Sequence, residues 1–280
     1  MDLASQILAG NRLVLARLLT QIENETPAGL AALDALFPHT GRAHLIGVTG
    51  APGTGKSSLV NQLARHYRHP PEGESPCKVA VVAVDPSSPF TGGAVLGDRI
   101  RMTDLSGDPG VFIRSMATRG SLGGLARATA GMVEAFDAAG FEVILIETVG
   151  AGQAEVDIAR LAHTTLVIEA PGLGDDIQAI KAGILEIADI LVINKADRPG
   201  VENTERALKN NLRLAHPAPR VFRHHGETVP LPAEAEPPAD TWLPPILRAI
   251  STEGTGIPEL AGAIAEHRPH LHATGDWRRP

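Results

Sequence analysis

The chain has 280 residues, a net charge of −7, 43% hydrophobic residues and 3% aromatic residues. That length can bury a full core and favours one α/β domain with attached helices. The acidic balance and scarcity of aromatics give no basic footprint or stacking platform for nucleic acid, although an acidic protein can still carry a local patch. A single cysteine, Cys77, excludes an intrachain disulfide framework and argues against a thiolate metal cluster. The first residues lack a basic start followed by a long apolar core, and no segment reaches about 18 uninterrupted apolar residues, so the expectation is a cytoplasmic protein with no membrane contact.

Residues 2–24 read as helix, with Leu13, Leu15, Leu18, Leu19 and Ile22 in a broad apolar stripe and Gly10-Asn11 marking a break after a short first turn. Thr26 and Pro27 form an N-cap and first helical position for a second helix carrying Leu30, Leu33 and Leu36. Residues 1–40 are thus an N-terminal helical extension. From His44 the rhythm becomes strand and helix. Leu45–Val48, Lys78–Val84, Phe141–Ile146, Thr164–Ile168 and Ile187–Ile193 are apolar runs suited to a mainly parallel central sheet with helices on both faces. Residues 201–215 read as an amphipathic helix, 226–240 as a Pro/Glu/Ala-rich surface loop, and Pro244–Ile250 as a last strand. A helix over Ile257–His267 closes a main domain spanning 41–268, and 269–280 reads as a tail.

The most informative local pattern follows the first strand. Gly50-Ala51-Pro52-Gly53-Thr54-Gly55-Lys56-Ser57, with Ser58 opening the next helix, is a phosphate-binding loop between strand and helix, so the fold class is an α/β P-loop NTPase. Convergent backbone N–H groups at a helix start suit a polyphosphate. Lys56 would reach the β- and γ-phosphates, and the Ser57 hydroxyl would ligate Mg²⁺. Asn194-Lys195-Ala196-Asp197 follows a strand whose carboxyl end faces the ligand side of such a sheet. Asp197 can accept two hydrogen bonds from N1 and the 2-amino group of guanine, a pattern adenine does not offer. GTP and GDP are therefore the expected ligands, and Ser251-Thr252, after the last strand, is expected to support the base from the side opposite Asp197.

Three carboxylates complete the metal and phosphate neighbourhood: Asp85 after its strand, Asp98 in a glycine-flanked loop, and Glu147 after Ile146. Glu147-Thr148-Val149-Gly150 has the form of a γ-phosphate sensor, with Gly150 offering its N–H. Ala151 stands where many small GTPases place a water-orienting glutamine, which predicts slow unassisted hydrolysis unless Gln153 compensates. The segment 85–93 reads as a switch or a plain turn. Arg114–Gly124 reads as an anion- or partner-facing loop or as ordinary surface, and 169–181 as a partner-responsive loop with hinge glycines.

Taken together, Gly50–Ser57, Asp85-Pro86-Ser87-Ser88, Arg114–Gly124, Glu147–Gly150, Pro171–Asp175, Lys181-Ala182-Gly183 and Asn194–Asp197 resemble the MeaB/ArgK-like metallochaperone GTPases. These proteins serve adenosylcobalamin-dependent methylmalonyl-CoA mutase and were once labelled arginine/ornithine transport kinases. The resemblance covers about residues 5–275. It implies GTP hydrolysis coupled to loading and protection of an adenosylcobalamin-dependent acyl-CoA mutase. On the matching positions it implies phosphate and Mg²⁺ contacts from Lys56 and Ser57, a metal neighbourhood of Asp85, Asp98 and Glu147, and base contacts from Asn194, Lys195 and Asp197. It also implies a homodimer built through a helical arm that residues up to Pro280 do not include. A nickel-insertion metallochaperone GTPase would need a Cys- or His-rich relay near the switches. A nucleotide-dependent small-molecule kinase shares the phosphate loop but gives no role to Asn194–Asp197.

Overall fold

The computed structural model describes residues 2–85, 102, 104–105, 107–117, 122–148, 160–172, 186–215, 221–224, 227–230 and 241–278. Asp98 and Gly150, and most of the segments 85–93 and 171–181, lie outside them.

Three helices open the chain: α1 (Leu3–Leu8), α2 (Arg12–Glu23) and α3 (Pro27–Leu36). Each start is capped by a side chain accepting from a first-turn amide. Asp2 takes the Ser5 N–H at 2.7 Å, Asn11 that of Val14 at 3.1 Å, and Thr26 that of Gly29 at 3.1 Å. The break at Gly10 has φ +84°, where a side chain is strained, and Pro27 occupies the first turn of α3 as expected.

Seven parallel strands form one sheet: β1 (His44–Gly50), β2 (Val79–Asp85), β3 (Val111–Ala117), β4 (Val143–Thr148), β5 (Thr164–Glu169), β6 (Ile190–Ile193) and β9 (Ile246–Arg248), in the order β3-β2-β4-β1-β5-β6-β9. A separate antiparallel pair, β7 (Val221–His224) and β8 (Glu227–Pro230), falls partly within the stretch expected to be an irregular loop. Every residue of β1, β4, β5 and β6 is buried. Their apolar runs therefore do not alternate with polar residues, because both faces are covered.

The alternation is between two cores. Leu45, Ala80, Val82, Val84, Ile144 and Ile146 pack with α1–α3 and with α5 (Leu122–Ala138). Their neighbours Ile46, Val48, Val79, Val81, Val143 and Leu145 pack with α4 (Lys56–Arg68) and α7 (Ile257–Thr274). The amphipathic α6 (Val201–Ala215) covers Val167, Leu191 and Ile193 through Val201 and Leu208.

Two expectations change. β3 was not foreseen, and Arg114 lies inside it. Its guanidinium pairs with Glu23 and also donates to Thr20, both on α2, so Arg114 fastens the edge strand to the N-terminal helices instead of facing an anion. The closing helix also runs beyond His267, through Pro269 to Thr274, and a 3-10 turn over Asp276–Arg278 follows in place of an extended tail. The buried positions Leu260, Ile264, His267 and Leu271 continue one stripe, and Trp277 stacks on His163 at 4.2 Å. Packing along that stripe outweighs the hydrogen bond lost at the proline.

The approach to β1 is set by Asp137, which is 6% exposed at the end of α5. Its carboxylate accepts from the backbone N–H of Gly41, of Arg42 at 3.2 Å and of Ala43 at 3.1 Å. Asp137→Ala should leave these amides without that acceptor and lower unfolding free energy by about 2–4 kcal/mol. Urea denaturation would show this as a fall in midpoint with an unchanged slope.

Candidate functional site

The loops expected to bind nucleotide gather where the strands end. β1 terminates in Gly50 at φ +137°, and a Cβ there would lie 2.2 Å from the carbonyl oxygen of Ile168 on β5. The loop turns through Gly53 at +81° and Gly55 at +95° into α4, whose N-cap Gly55 supplies no side-chain hydrogen bond. A first turn capped in this way presents backbone donors to an anion. Thr54 is fully buried, and its hydroxyl closes the loop by donating to the Ala51 carbonyl at 2.9 Å. Pro52 and Gly53 are exposed at the tip, while Ala51, Gly55 and Ser58 are partly exposed.

Lys56 is 6% exposed, and its ammonium donates to the carbonyls of Gly50 at 2.7 Å and Ala51 at 3.0 Å, so the cation is held over the loop. Ser57 donates to Glu147 Oε1 at 2.6 Å. Both residues are buried, at 7% and 5%, and they come from different elements, α4 and β4. Two hard oxygen donors at the mouth of a phosphate loop fit Mg²⁺, which takes one or two protein oxygens and fills its octahedron with phosphate and water. The register supports the same grouping: Ala83 pairs with Glu147 and Val84 with Thr148, which sets the backbone of Asp85 beside this strand end. The side chain of Asp85 lies outside the described residues, as do Asp98 and Gly150.

Asn194, just past β6, ties the loops together. Its Nδ2 donates to the Thr54 carbonyl at 2.8 Å, and its Oδ1 accepts from the Ser251 amide at 3.1 Å and the Ser251 hydroxyl at 2.7 Å. The fit is tight, since a Cβ on Gly55 would lie 2.4 Å from Asn194 Nδ2. Lys195, in the left-handed region at φ +56°, donates its ammonium to the Gly53 carbonyl. Asp197 is exposed on the following turn. Ser251 is buried at 4% and Thr252 is exposed, so the direct contact of this pair is from Ser251 to Asn194. The sequence motifs named these residues, but no local signal showed that Asn194 binds a loop 140 positions away.

This geometry is a phosphate cradle joined to a second polar loop across the end of a parallel sheet. The sequence matches the family model for methylmalonyl-CoA mutase-associated GTPase MeaB over residues 15–279. The chain belongs to the MeaB family. A Pyrococcus horikoshii protein named as a putative GTPase is 46% identical over 274 residues, covering 98% of this chain and 79% of that protein. The GTPase ArgK of Escherichia coli K12 is 37% identical over 270 residues, covering 95% and 75%. A crystal structure of a LAO/AO transport system kinase superposes with a TM-score of 0.72 at 30% identity, covering 99% of this chain and 77% of that one. The fold is thus shared with that structure over almost all of this chain. Among the described residues no helix is long and apolar enough to cross a membrane.

At the opposite end of the same strands lies a buried polar row. His44 Nε2 meets Thr164 Oγ1 at 2.8 Å, and that hydroxyl meets His267 Nδ1 at 3.0 Å. His44 and His267 are 5% and 2% exposed. Burial first, and then neighbouring histidines, push His44 down to about 3 and His267 down to about 4. Both rings are neutral in the fold near pH 7 and protonate in the unfolded chain near pH 6.5. Stability is therefore fully present above pH 6.5 and falls as pH drops from there towards the folded values. Between pH 6 and 5 the slope should approach about 1.4 kcal/mol per pH unit for each histidine. Urea unfolding across that range should show the fall, and His44→Gln with His267→Gln should flatten it.

Proposed function

We propose that this chain is a GTP hydrolase whose nucleotide cycle drives adenosylcobalamin loading and protection of an acyl-CoA mutase, methylmalonyl-CoA mutase by preference. The observation that carries the nucleotide half is the Asn194 bridge, which makes the guanine-reading turn and the phosphate loop one rigid unit. In this reading the backbone of Gly50–Ser58 cradles the phosphates, and Asp197 accepts from the guanine edge. Asn194, Lys195 and Ser251 hold that loop in place, and Thr252 flanks the base. Ser57 and Glu147, with Asp85 and Asp98, would hold Mg²⁺, which when bound neutralises phosphate charge. Lys56 is already constrained beside the loop, so it meets developing negative charge with little reorganisation. Gly150 offers its amide to the γ-phosphate and reports its loss to the segments that follow.

The mutase half rests on membership of the MeaB family. Ala151 in the water-orienting position predicts slow hydrolysis by the isolated protein, on the order of one turnover per minute or less. The experiment is a comparison of GTP turnover alone and with candidate adenosylcobalamin-dependent mutases, followed through mutase activation. Faster turnover and GTP-dependent activation with one mutase are expected. Turnover above roughly one per second without a partner would refute the slow-switch reading, and no activation of any acyl-CoA mutase would refute the partner.

A further inference from the structure

A cavity of about 680 Å³ opens at the amino-terminal end of the sheet, on the far side from the phosphate loop. It is lined by the residues that lead into three strands: Ala162 and His163 before β5, Asp189 before β6, and Trp242 before β9. His267, His270 and Leu271 of α7 form the other wall. β5 is six residues long, which separates this cavity from the nucleotide end by about 20 Å. Among the described residues, none of those assigned to nucleotide, metal or base lines it.

The walls combine two chemistries. One is aromatic: Trp242 lies 4.5 Å from His267 and 5.4 Å from His270, ring centre to ring centre, and the two histidines stack at 5.8 Å with an interplanar angle of 21°. The indole N–H is committed to the Asp189 carbonyl at 2.7 Å, which fixes the orientation of the ring. The other is acidic: among the described residues, Glu186, Asp189 and Asp276 line the cavity together with the guanidinium of Arg160. Asp189 is anchored, accepting the Thr165 amide at 2.7 Å and standing 3.6 Å from His267 Nε2. His267 is buried and neutral near pH 7, so its ring adds no positive charge there.

Aromatic faces attract cations through the ring quadrupole, and carboxylates attract them by charge. A partly enclosed volume of this size suits a small molecule. We propose that this cavity binds a small organic cation, with the ammonium or guanidinium group held by Glu186, Asp189 and Asp276 and the apolar stem lying against Trp242 and Leu271.

The probe is n-butylguanidinium, titrated into the whole chain by calorimetry, with pentanol and valerate as neutral and anionic matches in size. Saturable one-site binding is expected for the cation, with the other two at least about tenfold weaker, a difference of about 1.4 kcal/mol. The double variant Glu186→Gln with Asp276→Asn should weaken cation binding by at least about tenfold while leaving the melting temperature and GDP affinity unchanged. Asp189 is kept intact because the Thr165 amide depends on it. The proposal is overturned by absence of saturation up to about 10 mM, by equal binding of pentanol or valerate, or by a folded double variant that binds the cation as the parent does.

Discussion

Lys56→Ala should lower GTP hydrolysis by about 100- to 1,000-fold, the range found when a pre-positioned group that stabilises developing charge is removed. The structure explains why so large a kinetic effect should come with a small structural one. Among the described residues, the ammonium donates to carbonyls of its own loop, Gly50 and Ala51. The loop conformation is set independently by Gly50, Gly53 and Gly55 at positive φ, by the Thr54 hydroxyl, and by Asn194. Loss of these hydrogen bonds from a flexible side chain should cost about 1–2 kcal/mol of stability. Single-turnover hydrolysis at saturating nucleotide, beside a thermal melt, separates the two quantities. A variant that melts normally and hydrolyses at the parental rate would move the chemistry away from this lysine.

Asp197→Ala should weaken GTP and GDP binding by about 100-fold while leaving ATP binding unchanged, erasing the guanine preference. In the proposed reading, two charge-assisted hydrogen bonds to the guanine edge would carry that discrimination, together about 3 kcal/mol. The turn bearing Asp197 is held by backbone bonds that the substitution does not touch. The Asn194 amide donates to Glu169 at 2.8 Å, Ala196 to Ala249 at 3.1 Å, and Arg198 to Lys195 at 3.0 Å. Calorimetric titration with GDP and ADP checks this directly. Parental affinity for GDP in the variant would remove Asp197 from base recognition.

The parts of this molecule that were legible in sequence are those governed by local rules. The runs in β1, β2, β4, β5 and β6 are apolar at their centres without alternation because both faces of a parallel sheet are covered. The phosphate loop is legible because a tight turn at positive φ restricts its residues to glycine at Gly50, Gly53 and Gly55. The capped starts of α2 and α3 follow the same logic. Local rules failed where a distant partner decides the outcome. β3 carries Arg114 and Ser115 within its run, and it forms at the sheet edge with Arg114 paired to Glu23 on a helix 91 positions earlier. Pro269 reads locally as a helix end, yet α7 continues because His267 and Leu271 are buried against the start of the sheet.

The sequence by itself determined which groups the proposed reading uses: a lysine and backbone amides for phosphate, a serine hydroxyl and carboxylates for a hard cation, and an aspartate for the guanine edge. Only the tertiary structure decided how those groups meet. Ser57 and Glu147 are 90 positions apart and share a 2.6 Å hydrogen bond, and Asn194 joins Thr54 to Ser251 across 140 and 57 positions. Strand order places β1 between β4 and β5, and β6 between β5 and β9, so loops distant in sequence converge at one edge. That convergence follows from burying both faces of the sheet, a property of the whole chain that no local segment encodes.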